Sequence, residues 1–131
     1  MSTNPTTRLV PFGTWVAFHP SHQRMDKWQA LKVLEEASEV VEACKQWLDW
    51  EALDPDMRDT ICSQATMPLP CKQNIANEIA DLLQTIANLC DAYGLTHNML
   101  KQADNTVVTK NQARGMYENG PRTHMHREEQ A

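Results

Sequence analysis

Glycine is scarce in this sequence, with four in 131 residues, and the four are scattered. A phosphate-cradling loop needs several glycines close together, because its backbone must approach the phosphates and adopt positive φ. A P-loop or a dinucleotide-binding Rossmann fold is therefore excluded in practice. Long apolar runs are missing too. No stretch approaches the ~20 residues that span a bilayer, and residues 1–20 hold no apolar segment long enough for the core of an export signal. The expected compartment is the cytosol, with no membrane partner. The four cysteines, Cys44, Cys62, Cys71 and Cys90, form no CxxC pair and have no histidine pair nearby. The usual zinc patterns are thus absent, and with Cys44 and Cys90 on apolar helical faces the thiols are expected to be reduced. Basic residues are the minority, 12 against 17 acidic, for a formal net charge of -5. That balance argues against a general nucleic-acid binder, which wants a basic face. It leaves nucleotides open, because a metal ion can neutralise phosphate charge locally. Ser38 has no evident histidine or aspartate to activate it, so a serine nucleophile is unsupported.

What the chain does have is helical periodicity. Residues 1–20 are punctuated by Pro5, Pro11, Gly13 and Pro20 and read as an extended arm that packs Trp15, Val16 and Phe18 onto a neighbouring surface. From about Ser21 to Trp50 there is neither glycine nor proline. Ala30, Val33, Leu34, Ala37, Val40, Val41, Cys44 and Leu48 fall on one broad face at about 100° per residue. Asp54-Pro55-Asp56 and Pro68-Leu69-Pro70 interrupt the pattern, so 51–71 reads as an insertion with a short helical turn inside. A second helix runs from about Lys72 to Tyr93 with Ile75, Ile79, Leu82, Leu83, Ile86, Leu89 and Cys90 inward, and Gly94 is placed to stop it. Thr96 is a suitable N-cap for a third helix that reaches about Gly115, with Leu100, Ala103 and Val107 inward. The expected organisation is an arm over 1–20, an all-α helical domain over 21–116, and a mobile polar tail over 117–131. A helical domain this small often completes its core by self-association.

The carboxylates carry the chemistry. Glu36 and Glu39 are neighbours on one helix face, and Lys32 continues their stripe one turn earlier. Glu78 and Asp81 repeat the device on the second helix. Both pairs border the apolar faces instead of lying opposite them, so packing the helices antiparallel brings four carboxylates to one rim. Like charges this close raise one another's pKa. A hard divalent cation removes the repulsion, and an all-oxygen site suits Mg²⁺, with Mn²⁺ able to substitute. Mg²⁺ keeps waters and binds substrate phosphate, which points to phosphate chemistry. The same spacing also describes an ordinary solvated helix. On the third helix the inward stripe continues to Asn111 and Arg114, with Lys110 alongside, and these would pair with phosphate oxygens or simply sit at an exposed helix end. Trp28 and Trp47 flank the carboxylate stripe, where they would stack on a base or belong to the core. His19 and His22 have no partners at metal spacing and carry no assigned role.

Three blocks together resemble the MazG-like all-α nucleoside triphosphate pyrophosphohydrolases. Lys32 to Glu39, followed by Val40-Val41-Glu42-Ala43, looks like the family's first signature. Asn77-Glu78-Ile79-Ala80-Asp81-Leu82-Leu83 is similar to its ExxD block, and Lys110-Asn111-Gln112-Ala113-Arg114-Gly115 to its closing KNxxRG element. The match covers about residues 28–116, and the gap from Glu39 to Glu78 is longer than is usual in the family because of the 51–71 insertion. The resemblance implies an antiparallel helical bundle completed as a homodimer or homotetramer. It also implies Mg²⁺-dependent hydrolysis of an NTP or dNTP to the monophosphate and pyrophosphate. Glu36, Glu39, Glu78 and Asp81 would hold the metal, and Glu35, about 100° around the helix from Glu36, would orient water or serve a second ion. Lys32, Lys110, Asn111 and Arg114 would hold phosphates. Phosphoribosyl-ATP pyrophosphohydrolases carry similar EExxE and ExxD signatures and are the alternative reading. A non-catalytic helical interaction module is the other.

Overall fold

Asp26 starts the first long helix: its Oδ1 accepts a hydrogen bond from the Gln29 N–H at 3.0 Å, satisfying one of the donors a helix start leaves open. In this computed structural model, which describes residues 16–117, the helices are α1 (Lys27–Glu51), α2 (Pro55–Gln64), α3 (Lys72–Ala92) and α4 (His97–Ala113). There is no strand among the described residues, and no helix long and apolar enough to cross a membrane. Ahead of α1, Pro20–His22 forms a single 3-10 turn. The α-helix therefore begins at Lys27 and not at Ser21, because Asp26 takes the capping position. Removing that cap should cost about 1 kcal/mol, so Asp26→Ala is expected to lower the melting temperature by roughly 4–8 °C in a domain of this size.

The 51–71 insertion is more ordered than a connecting excursion with one turn. Asp54 caps it, Pro55 supplies a pre-set φ at the first helical position, and α2 then runs for 10 residues. Arg58 Nη1 reaches Glu51 Oε2 at 3.5 Å and ties α2 to the end of α1.

α1 and α3 make the main helix-to-helix packing. Their contacts run in opposite directions: Lys72 lies over the ring of Trp47, Glu78 meets Glu39, and Asp81 faces Glu36. On α1 the face shared with Glu36 carries Val33, Val40, Ala43 and Trp47, all buried or half-buried. Ala87, Asn88 and Cys90 are buried on α3. The broad apolar face expected on α1 is only partly used. Leu34, Val41 and Leu48 are 67%, 59% and 64% exposed, since one partner helix covers one seam and these residues lie on the next. Ahead of the 3-10 turn, Val16 and Phe18 lie against α3: Gln84 Nε2 donates to the Val16 carbonyl at 2.6 Å, and the Phe18 N–H donates to Asn88 Oδ1 at 2.9 Å. Trp15, the rest of the arm and the tail from residue 118 lie outside the described residues.

The chain divides into two compact units, with residues 16–92 in one and 93–117 in the other. In the second, Gly94 takes φ 67°, the left-handed conformation that ends a helix, and Thr96 Oγ1 accepts from the Met99 N–H at 3.2 Å to cap α4. The inward stripe of α4 includes Leu100 and Asn111 as expected, but between them it is shifted by one residue. Val108 is 5% exposed, whereas Val107 is 45% exposed and Ala103 lies open, so the helix turns Leu100, Asp104, Val108 and Asn111 away from solvent. Two adjacent valines made the choice of face ambiguous in sequence. All four cysteines are free.

Candidate metal centre and adjoining cleft

Helical spacing puts Glu36 on the α3-facing side of α1, and Glu78 and Asp81 on the facing side of α3. One carboxylate oxygen from each of the three lies within 4.8 Å of the others. Glu36 and Glu78 are half-buried, and Asp81 is exposed. Glu78 Oε2 is buried with no hydrogen-bond partner. An acceptor in that state is costly in a folded protein and is relieved by a donor or a cation.

The electrostatics agree. Burial is the main cause that pushes the Glu36 carboxyl above its ordinary range, followed by the negative charges of Glu39, Asp81 and Glu35, with Lys32 pulling the other way. Burial again leads for Glu78, which is raised further by the charges of Glu39 and Asp81 and by a side-chain hydrogen bond to Glu39. Glu39 is thus close to the cluster but exposed, and it is not one of the three that converge most tightly. Glu35 points elsewhere: it pairs with Lys32 at 3.1 Å on the exposed side of the helix. Hard oxygen donors, surplus negative charge and an orphaned buried oxygen together fit a small divalent cation.

Glu36 and Asp81 also line a cleft of about 610 Å³, a volume ordinary for a small-molecule site. Trp28 and Lys32 line it as well. Trp28 is 66% exposed, with Lys27 Nζ 5.2 Å from its ring centroid. Trp47 does not line this cleft; its ring is half-buried with Lys72 Nζ 5.8 Å away, toward the opposite end of α1. Lys110 and Asn111 occupy the last turn of α4 and Arg114 caps it, with Lys110 and Arg114 exposed.

Sequence reasoning missed the other end of the cleft. Gln23, Gln29, Gln84 and Asn88 line it and are joined side chain to side chain. Asn88 is the hub and is only 6% exposed. Its Oδ1 accepts from the Phe18 N–H at 2.9 Å, from Gln23 Nε2 at 3.1 Å and from Gln84 Nε2 at 3.1 Å. The signal was available: Glu78, Asp81, Thr85 and Asn88 recur at three- and four-residue steps, a polar stripe running along the packed side of α3. His22, which had no role on spacing grounds, also lines the cleft.

No family model, curated protein or solved structure matches the chain.

Proposed function

We propose that this protein is a magnesium-dependent nucleoside triphosphate pyrophosphohydrolase of the MazG-like kind. The observation that carries the reading is the convergence of Glu36, Glu78 and Asp81 within 4.8 Å, with a buried, unpartnered Glu78 Oε2 among them. Bound there, Mg²⁺ would neutralise and polarise phosphate oxygens at the scissile anhydride. Glu36, Glu78 and Asp81 hold it, and Glu39 adds a carboxylate from beside Glu78. The resemblance would give Glu35 the role of orienting the attacking water or serving a second ion; here it pairs with Lys32 at 3.1 Å on the exposed side of α1, and it would have to leave that pair to reach a water at the cluster. Lys32 places a cation at the cleft wall, where it offsets phosphate charge. For Lys110, Asn111 and Arg114, which belong to the other unit, the family resemblance alone would give the role of further donors to phosphate, the arginine as a planar fork. Trp28 stacks on the base. Trp47, turned to Lys72, serves packing in this scheme.

The fold reading extends the same way: an antiparallel helical bundle completed as a dimer or tetramer in the cytosol. Buried hydrophobic residues are few among the described residues, Ala43, Ala87, Cys90 and Val108. Leu34, Val41 and Leu48 recur every seventh residue and remain exposed. A seven-residue apolar repeat is the pattern a second helix covers, and covering each side chain gains about 1.5–3 kcal/mol.

The test is pyrophosphate release from a panel of (d)NTPs, with phosphoribosyl-ATP beside them. Release from one or more (d)NTPs supports the proposal. Release from phosphoribosyl-ATP alone moves the protein to the related pyrophosphohydrolases. Release from neither, together with no Mg²⁺-dependent thermal shift, leaves a non-catalytic helical module.

A further inference from the structure

The amide cluster at the far end of the cleft is more ordered than a set of surface glutamines. Each amide has one contact to a backbone group whose role is fixed, and this settles which way the amide faces. The Phe18 N–H can only donate, so the Asn88 atom beside it is Oδ1. The Val16 carbonyl can only accept, so the Gln84 atom beside it is Nε2. Gln23 Nε2 faces the Phe18 carbonyl at 3.3 Å, and Gln29 Oε1 faces the Arg24 N–H at 3.1 Å. Gln29 Nε2 then donates to Gln23 Oε1 at 3.1 Å, closing the relay.

Two groups are left over. Asn88 Oδ1 is saturated, while Nδ2 makes no hydrogen bond among the described residues. Gln84 uses Nε2 twice, while its Oε1 accepts none among the described residues. Both side chains line the cleft, one turn apart on α3, and Asn88 is more than nine-tenths buried. Asn88 Nδ2 is not among the side-chain atoms sealed from solvent without a partner, so it opens to the cleft that Asn88 lines. A donor held in a fixed orientation at a cleft wall is an address for a ligand acceptor. Gln84 Oε1 offers the complementary acceptor. Asn88 follows Asp81 by seven residues, so it stands about 10 Å along the helix axis from the carboxylates. That is the separation between the phosphates and the base edge of one nucleotide.

We propose that Asn88 and Gln84 read the hydrogen-bonding edge of the substrate's nucleobase, Asn88 Nδ2 donating to a ring or carbonyl acceptor and Gln84 Oε1 accepting from a neighbouring N–H. Gln23 and Gln29 act as positioning residues that hold the Asn88 amide in this orientation. The inference rests on the nucleotide reading given above, and it commits the protein to substrates that carry a base, as against phosphorylated sugars or inorganic polyphosphates. A site built around a fixed donor rejects a ligand lacking the matching acceptor, because the ligand displaces water from the donor and returns no partner.

Asn88→Asp separates base reading from support. The carboxylate keeps an acceptor for Phe18, Gln23 and Gln84, and replaces only the donating nitrogen. KM and kcat for pyrophosphate release are measured in wild type and Asn88→Asp, with a full NTP and with ribose 5-triphosphate, which has no base. In wild type the baseless analogue is expected to show a KM about tenfold higher, the scale of one buried hydrogen bond. Asn88→Asp should raise KM for the full NTP by a similar factor, change kcat little, and shrink the preference over the analogue correspondingly, the remainder coming from Trp28 and Gln84. A wild type that treats both substrates alike overturns the proposal, and this comparison holds even where the variant folds poorly. An Asn88→Asp protein that loses thermal stability but keeps the full base preference overturns it as well, since the amide then only supports the segment before α1. If wild type releases no pyrophosphate from any nucleotide, the catalytic reading fails separately, and the cleft is tested by quenching of tryptophan fluorescence with free nucleosides. Quenching weakened in Asn88→Asp supports the base site on its own; no quenching in wild type, or equal quenching in the variant, overturns it.

Discussion

Glu78→Gln is expected to lower metal-dependent pyrophosphate release on the order of 10²–10³-fold, the loss seen when one preorganised group is removed from developing charge, while leaving the metal-free protein at least as stable. The substitution keeps the shape of the side chain and removes its charge. Glu78 is the member whose Oε2 is buried without a partner, so it would contribute most directly to an ion and tolerates its own charge least without one. The negative charges of Glu39 and Asp81 both raise its carboxyl. Neutralising it relieves that repulsion, and the amide can donate a hydrogen bond back to them. Activity and stability therefore move apart, which a merely structural glutamate would not produce. Glu42→Gln is the control. Glu42 pairs with Lys45 at 3.6 Å on the exposed side of α1, and its loss should leave both rate and melting temperature nearly unchanged. Steady-state kinetics alongside calorimetry check both halves, and near-wild-type turnover in Glu78→Gln would show that this cluster holds no catalytic ion.

Adding Mg²⁺ to the wild-type protein should raise its melting temperature strongly, and more so as pH rises. A ligand at about 100 times its dissociation constant stabilises the folded state by ~2.7 kcal/mol, which for a domain of this length is on the order of 10 °C. The pH dependence follows from the carboxylates. Glu36 and Glu78 both lie above the ordinary value of 4.5, by burial first and then by like charge. The folded state consequently holds these protons more tightly than the unfolded chain. Stability of the metal-free protein should therefore fall as pH rises from the ordinary carboxylate value through the raised ones. Mg²⁺ at this cluster would bind the ionised forms and displace those protons, so its stabilisation is expected to grow over the same window. Thermal melts with Mg²⁺ and with chelator, from mildly acidic to mildly alkaline pH, measure the difference. A shift that is absent, or that shrinks with rising pH, contradicts the metal centre.

The parts of this structure that were legible in sequence are those set by local periodicity. α1 and α3 follow from apolar residues at helical steps, and Thr96 and Gly94 mark their boundaries with α4 through capping chemistry. Glu36, Glu78 and Asp81 were also legible, because a carboxylate on the border of an apolar stripe reaches a packing partner and one in mid-face does not. Other features depend on what lies opposite a residue, which spacing does not encode. Val107 and Val108 are adjacent, and only tertiary contact decides that Val108 is the buried one. Leu34, Val41 and Leu48 fit the apolar face of α1 as well as Val33 and Val40 do, yet they lie on a seam that α3 does not cover. Asn88 was the least legible. Its partners include Phe18 and Gln23, 70 and 65 residues away, and a buried asparagine on an apolar helix is interpretable only once its donors are known.

The central claim is cleavage between the first and second phosphates of a nucleotide at the Glu36, Glu78 and Asp81 cluster. Its most direct measurement is phosphorus NMR of a (d)NTP incubated with wild type and with Glu78→Gln, each with Mg²⁺ and with chelator. Nucleoside monophosphate and pyrophosphate, formed only by wild type and only with metal, are the expected products. Orthophosphate and the nucleoside diphosphate, or equal pyrophosphate release in the presence of chelator, would contradict it.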